Sequence, residues 1–162
     1  MPRASKPAAL DPKRQAERRA IAAELERRRR LPAAVDALVE GLFPVQRSLV
    51  LSTATRIVAR AGRRGGKTHA LGARAFRAAL RYPKRTIPVV ERTLTSASAR
   101  VLWEALQAVD RRFGLHAKFH HSLFLATLGN GATIQIVGAD TVEAADKLRG
   151  GNYPEALVDE AG

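Results

Sequence analysis

The strongest constraint on the fold is a glycine-rich segment, residues 61–68, which lies between a short apolar run and an alanine-rich stretch. Residues 57–59 are apolar and predict a strand, whereas residues 67–80 predict a helix. A loop between a strand and a helix exposes successive backbone N–H groups, and the positive end of the helix dipole adds to their attraction for an anion. The sequence therefore predicts a phosphate-binding loop in an α/β protein.

The chemistry of this segment follows from its spacing, which fits [AG]-x4-G-K-[ST] with alanine where the stricter pattern has its first glycine. Glycines let the backbone approach a phosphate closely, Lys67 reaches the β- and γ-phosphates, and the Thr68 hydroxyl is a ligand for Mg²⁺. ATP and Mg²⁺ are thus the expected cofactors, and GTP is disfavoured because no Asn-Lys-x-Asp guanine motif occurs. The residues expected to bind nucleotide in this loop are Ala61, Gly62, Arg63, Arg64, Gly65, Gly66, Lys67 and Thr68.

A second part of the expected site lies near the end of the chain, where apolar residues 156–158 precede Asp159 and Glu160. In an open α/β sheet, ligands bind at the carboxyl ends of the strands. We therefore expect Asp159 to hold Mg²⁺ together with Thr68, and Glu160 to position and polarise the attacking water.

Phosphoryl transfer also favours an arginine that stabilises charge on the γ-phosphate. Arg63, inside the loop, can supply it within the same chain. Arg149, in a Leu-Arg-Gly segment before the last strand, can do so in the same chain or from a neighbouring subunit. For both residues, an ordinary surface position is the alternative.

Elsewhere, helical and strand patterns alternate, which predicts a mostly parallel α/β sheet flanked by helices. Pro88 cannot donate to a ladder and favours an edge position or the first residues of a strand, and Leu31-Pro32 predicts a break between two helices. Gly129-Asn130-Gly131 suits a hairpin turn. The expected helices are residues 11–30, 33–42, 45–52 and 96–113, and the expected strands are residues 86–91, 122–128, 132–137 and 156–158.

The formal net charge of +13 indicates a polyanionic partner. Residues 1–30 hold ten lysines and arginines against four acidic residues. Their charge fits a solvated arm as well as direct contact with DNA phosphates, and both interpretations stay open. The expected organisation is a basic extension, flexible or helical, over residues 1–30 and an ATPase domain over residues 31–162.

Several classes of protein are excluded or disfavoured by composition. The chain has no cysteine, which rules out a disulfide framework and a thiolate zinc site, and its four histidines lack neighbours at metal-ligand spacing. No apolar run is long enough to cross a bilayer, so we expect a soluble, cytoplasmic protein without a membrane partner.

Three features together resemble one family. They are Phe43-Pro44-Val45-Gln46 upstream of the phosphate loop, the arginine within that loop, and Leu148-Arg149-Gly150 shortly before the two acidic residues. Over residues 40–162 this combination resembles the N-terminal ATPase domain of the large terminase subunit of tailed bacteriophages and prophages.

The resemblance implies a P-loop NTPase fold of the ASCE/RecA-like type that drives packaging of double-stranded DNA into a procapsid. It implies that Gln46 reads adenine, that Arg63 is the loop arginine, and that Asp159 and Glu160 are the acidic pair. The implied partners are double-stranded DNA, the small terminase subunit, the portal protein and further copies in a homo-oligomeric ring, all in the cytoplasm of a bacterial host.

A full large terminase continues into a nuclease domain, whereas this sequence stops at Gly162. We therefore expect an incomplete sheet with an open apolar edge, low stability, and weak or no ATP hydrolysis. Two alternatives remain open: a helicase-like DNA-dependent ATPase, and a non-catalytic basic DNA-binding module.

Overall fold

The computed structural model describes residues 11–60, 62, 65–94 and 97–159. The helices are α1 (Pro12–Glu40), α2 (Pro44–Leu51), α3 (Lys67–Arg81), α4 (Ala97–Phe113) and α5 (Val142–Arg149). The strands are β1 (Thr86–Glu91), β2 (Lys118–His120), β3 (Leu125–Thr127), β4 (Thr133–Gly138) and β5 (Leu157–Val158), with a 3₁₀ turn (His121–Leu123) between β2 and β3.

The five strands form one mixed sheet in the order β2-β3-β4-β1-β5. β1 is parallel to both β4 and β5, whereas β3 is antiparallel to both β2 and β4. The prediction of a mostly parallel P-loop sheet of the ASCE/RecA-like type is therefore wrong for this chain.

Two local features explain the difference. Residues 52–60 form neither helix nor strand, so the expected strand at 57–59 is absent from the sheet. Residues 118–138 form three consecutive strands without an intervening α-helix, and short connections permit only antiparallel pairing. The predicted hairpin is confirmed within this region: β3 and β4 pair antiparallel across a turn in which Gly131 has a φ of +80°.

Pro88 lies on β1, an interior strand of the sheet, and not on an edge strand; as the third residue of β1 it agrees with the other predicted position, among the first residues of a strand. The Val90 carbonyl accepts a bond from the Asp159 N–H, so Val90 directs its polar groups towards β5. Pro88, two residues earlier, directs its backbone nitrogen the same way. Since β5 begins only at Leu157, opposite Val89, no ladder bond is lost at the proline.

Helix α1 is continuous through Pro32, so the predicted break at residues 31–32 is wrong. Its start is as expected, with Pro12 at the first position and the Asp11 side chain accepting a 3.0 Å bond from the Lys13 N–H. A proline removes one helical hydrogen bond, and tertiary packing at the end of the helix, where Leu38 is fully buried, offsets that loss. The expected boundary between residues 30 and 31 falls inside α1.

None of the helices in the described ranges is both long and apolar enough to cross a bilayer.

The core lies on one face of the sheet. Ile87 and Val89 of β1 are level with Ile134 and Ile136 of β4, and all four are buried with Phe76 of α3. The alanine-rich face of α3 allows close packing: a Cβ at Gly72 would lie 3.6 Å from Val109 of α4. Helix α3 is thereby fixed against both the parallel strands and α4.

Trp103 of α4 links this core to the antiparallel edge of the sheet. Its ring makes edge-to-face contacts with Phe119 and Phe124, and its indole N–H donates a 3.0 Å hydrogen bond to Nδ1 of His121. The indole is 5% exposed. This cluster holds β2 and β3 against α4.

Candidate phosphate site

The candidate site begins at the N-terminus of α3. Gly66, the residue before the helix, has the left-handed conformation (φ +74°, ψ +17°), and Lys67 starts the right-handed helix. A change of hand between neighbouring residues turns successive N–H groups towards one point and forms an anion-binding concavity. The first turn of α3 contains no acidic residue and does contain Lys67, so the positive end of the helix dipole is reinforced.

Glycine suits position 66 chiefly because of its backbone conformation. A positive φ is strained for other residues, and a Cβ at this position would come within 2.3 Å of Nε2 of Gln46. That Nε2 donates a 3.1 Å hydrogen bond to the Gly66 carbonyl, while Oε1 of Gln46 accepts a 3.1 Å bond from the Phe43 N–H. Gln46 thus joins the start of α2 to the start of α3, using the same two groups that adenine recognition would need.

The topology brings α3 and the strands into one arrangement. A short connection, residues 82–85, reverses the chain between α3 and β1, so the start of α3 lies at the carboxyl end of β1. The lengths agree: fifteen helical residues span about 22 Å and six strand residues about 20 Å. Lys67 and Thr68 therefore lie at the end of the sheet that is formed by the carboxyl ends of β1 and β5.

Asp159 lies at the same edge. Its N–H donates a 3.0 Å hydrogen bond to the Val90 carbonyl, which continues the register of β5 one residue beyond Val158. Side chains alternate across a sheet, so Asp159 shares a face with Leu157, which belongs to the core against which α3 packs. The topology and register therefore place Lys67, Thr68 and Asp159, three residues predicted from the sequence, at the same end of the fold.

Glu91 also belongs to this edge and was missed in the sequence. It ends β1, neighbours Asp159 in the parallel register, and is 1% exposed. The available signal was a carboxylate at the end of a buried β-strand, which is similar to the signal that identified Asp159.

Part of the predicted loop lies outside the described residues. This applies to Ala61, Arg63 and Arg64, and also to Glu160. Gly62 and Gly65 are exposed, and the Gly65 N–H donates a 3.2 Å bond to the Gly62 carbonyl. Gly65 leads directly into the left-handed Gly66.

Arg149 is placed apart from these residues. It ends α5, is 82% exposed, and forms a 3.2 Å ion pair with Asp146. Three residues later, the Asn152 carbonyl accepts a 2.8 Å bond from Arg85, which immediately precedes β1. The end of α5 is thereby directed towards the amino ends of the strands, opposite Lys67 and Asp159. The structure does not bring Arg149 to the other predicted residues of its own chain.

His69, in the first turn of α3, is partly buried, and its Nε2 has no hydrogen-bond partner within the described part of the chain. Burial lowers the pKa of the imidazole below the usual 6.5, and the nearby Arg112 guanidinium lowers that pKa further. His69 therefore favours the neutral state beside Thr68.

The donor set suits Mg²⁺ bound together with a nucleotide. No three His, Asp or Glu side chains cluster for a metal in the residues that the structure covers. Mg²⁺ usually takes only one or two protein ligands and completes its shell with phosphates and water. The hydroxyl of Thr68 and the carboxylate of Asp159 are hard oxygen donors of this kind, so the residues present fit that mode of binding.

Comparison of the chain with protein-family models, with curated proteins and with solved structures found no match.

Proposed function

We propose that this chain binds ATP with Mg²⁺ at the N-terminus of α3. One observation carries the proposal: a left-handed Gly66 leads into a helix whose first residue is a lysine, at the end of the sheet where Asp159 follows β5. A lysine at a positive helix end is electrostatically unfavourable by itself, and a bound polyphosphate reverses that effect.

Each residue has a separate role in the proposed complex. Backbone N–H groups around Gly66 and the Lys67 ammonium bind the β- and γ-phosphates, while Thr68 and Asp159 hold the magnesium, which neutralises phosphate charge. Glu160 orients a water whose oxygen attacks the γ-phosphorus as the bond to ADP breaks, giving ADP and inorganic phosphate. Arg63, or Arg149 from a neighbouring subunit, stabilises the charge that develops on the γ-phosphate.

We further propose that the nucleotide site serves a machine that moves double-stranded DNA, of the packaging type that the motifs resemble. Helix α1 supports a nucleic-acid partner: residues 12–26 are almost entirely exposed, and they belong to a helix about 43 Å long. The net charge of +13 of the whole sequence favours phosphate contacts. The small terminase subunit, the portal protein and a ring of copies in the host cytoplasm complete this proposal.

The test is equilibrium binding of a fluorescent ATP analogue to the wild-type chain and to Lys67→Ala. Losing a charge-assisted contact of about 1.5–3 kcal/mol lowers affinity about tenfold to a hundredfold. Lys118→Ala is the matched control because Lys118 is exposed on β2, at the opposite edge of the sheet from β5.

Equal affinity in Lys67→Ala and Lys118→Ala would overturn the proposed phosphate site. If duplex DNA still bound to both variants, the result would favour the non-catalytic DNA-binding module. Binding, not turnover, is the primary readout because the proposed site is defined by the groups that hold the phosphates.

A further inference from the structure

Arg74, in the middle of α3, is a buried cation with four polar contacts. Arg74 as a whole is 8% exposed. Nε donates to the carboxylate of Glu155, and Nη1 lies 2.9 Å, 3.1 Å and 2.8 Å from the carbonyl oxygens of Leu49, Val50 and Ser52. A guanidinium is removed from water only where its donors and its charge are satisfied, and these partners meet that need.

The carbonyl partners belong to the end of α2. The last carbonyls of a helix have no partner within the helix and carry the negative end of its dipole, so a cation is favourable there. Residues 53–60 follow directly and lead into the glycine-rich turn. Arg74 therefore fixes the point from which the chain departs towards the phosphate loop.

The partner Glu155 precedes the other half of the proposed site. It lies two residues before β5 and four before Asp159. β5 contains only Leu157 and Val158 and pairs with β1 alone among the described strands. Because so short a strand has few backbone hydrogen bonds to fix its position, the ion pair between Glu155 and Arg74 contributes more to positioning β5.

The ion pair also determines how far Asp159 and Lys67 lie along the direction of the strands. Lys67 lies seven residues before Arg74, which is about 10 Å along the helix and on nearly the same helical face. Asp159 lies four residues after Glu155, which is about 13 Å along an extended chain. Helix α3 runs antiparallel to β1, and β5 runs parallel to β1. The step from Arg74 to Lys67 and the step from Glu155 to Asp159 therefore both point towards the carboxyl ends of the strands.

We propose that Arg74 and Glu155 are positioning residues that hold Asp159 level with Lys67 and Thr68. This role rests on the proposed nucleotide site. The pair does not touch the phosphates. It couples the helix that binds them to the strand that supplies the acidic magnesium ligand, so the nucleotide's gain in affinity from Mg²⁺ depends on this ion pair.

The test compares Glu155→Gln with the wild-type chain, using the ATP analogue in EDTA and then in Mg²⁺. The amide keeps the volume of the side chain and removes its charge. In the wild type, we expect Mg²⁺ to raise affinity by about tenfold or more. In Glu155→Gln, we expect the affinity in EDTA to stay within about twofold and most of the Mg²⁺ gain to disappear.

Arg85→Gln is the matched control, since Arg85 also anchors the segment before β5, through the Asn152 carbonyl at 2.8 Å, but from an exposed position. It should keep both affinities. Glu155→Asp retains the charge and should recover part of the Mg²⁺ gain. It also replaces Glu155→Gln in the comparison if thermal unfolding shows that the amide variant does not fold.

The outcomes separate the two proposals. A wild-type chain that binds no nucleotide in either condition overturns the proposed function, and the positioning role with it. A wild type that gains affinity from Mg²⁺, with the same gain in Glu155→Gln, overturns the positioning role alone. An equal loss in EDTA and in Mg²⁺ also overturns it, because that result describes general destabilisation of the fold.

Discussion

The side chain of Gln46 donates a 3.1 Å hydrogen bond to the carbonyl of Gly66, the left-handed residue that begins the proposed phosphate site. A second bond, from the Phe43 N–H to Oε1, occupies the other half of the amide. The edge of adenine presents a donor and an acceptor to the same two groups. If Gln46 reads adenine, nucleotide binding must exchange at least one of these contacts, and this links the base to the conformation of Gly66.

Gln46→Ala tests that link. We expect ATP affinity to fall by about tenfold, as for the loss of one or two net hydrogen bonds. The preference for ATP over GTP should narrow, because the amide is the group that distinguishes the two bases. Competition of both nucleotides against the fluorescent analogue measures this, with Gln15→Ala on exposed α1 as control. Equal losses for ATP and GTP would mean that Gln46 only supports Gly66.

Gly66→Ala should destabilise the fold by about 1–3 kcal/mol, because alanine is strained at a φ of +74° and its Cβ overlaps Gln46. The measurement is urea unfolding. Gly62→Ala is the internal comparison, since a Cβ at Gly62 meets nothing within 4 Å and that residue has no positive φ. Similar unfolding midpoints for the two variants would contradict the conformation described for Gly66.

His69 should make stability depend on pH. The folded state lowers the pKa of this imidazole below 6.5, through burial and then through Arg112, so the unfolded chain binds the proton more tightly. The contribution to the unfolding free energy is therefore fully present above pH 6.5. It is lost as the pH falls from 6.5 through the folded-state pKa.

Denaturant unfolding across this pH window measures the effect. His69→Gln should flatten the pH dependence below 6.5, whereas His120→Gln, at an exposed position on β2, should retain it. An unchanged slope in His69→Gln would assign the pH dependence to another group.

The exposed half of α1 should contribute to DNA binding through charge. Arg14→Gln combined with Arg18→Gln removes two cations from one face of the helix. If both contact phosphates, the slope of log affinity against log salt becomes shallower by about 0.9 for each contact. Fluorescence anisotropy with a labelled duplex measures it. The double variant at exposed Arg100 and Lys118 is the comparison, and equal slopes in the two variants would exclude α1 from the interface.

Local patterns predicted much of the secondary structure. Helix α3, helix α4, strand β1 and the β3–β4 hairpin follow from periodicity and turn residues. The sheet did not follow, because pairing depends on which segments join it. The apolar run at 57–59 gives the same short-range signal as a strand, yet it remains outside the sheet. Helix α5 was missed because half of residues 142–149 are charged, and its N-cap Thr141 was the available signal.

At the site, the sequence identified groups with strong chemical signatures and missed those whose role depends on packing. Lys67, Thr68 and Asp159 are recognisable from their neighbours in the chain. Arg74 and Glu155 are 81 residues apart, and only the folded chain shows that they meet. For Arg149 the sequence was misleading in the other direction. Its motif suggests the site, but helix α5 ends towards the amino ends of the strands, away from Lys67.

Trp103 is the only tryptophan in the sequence, and it is enclosed by Phe119, His121 and Phe124 at the antiparallel edge. The tryptophan emission of the chain therefore comes from one known place, on the other side of β1 and β4 from β5. A spectral change there reports the loss of the whole fold, whereas a rearrangement confined to the start of α3 leaves the spectrum unaltered. The chain thus carries its own optical reference for separating these two events.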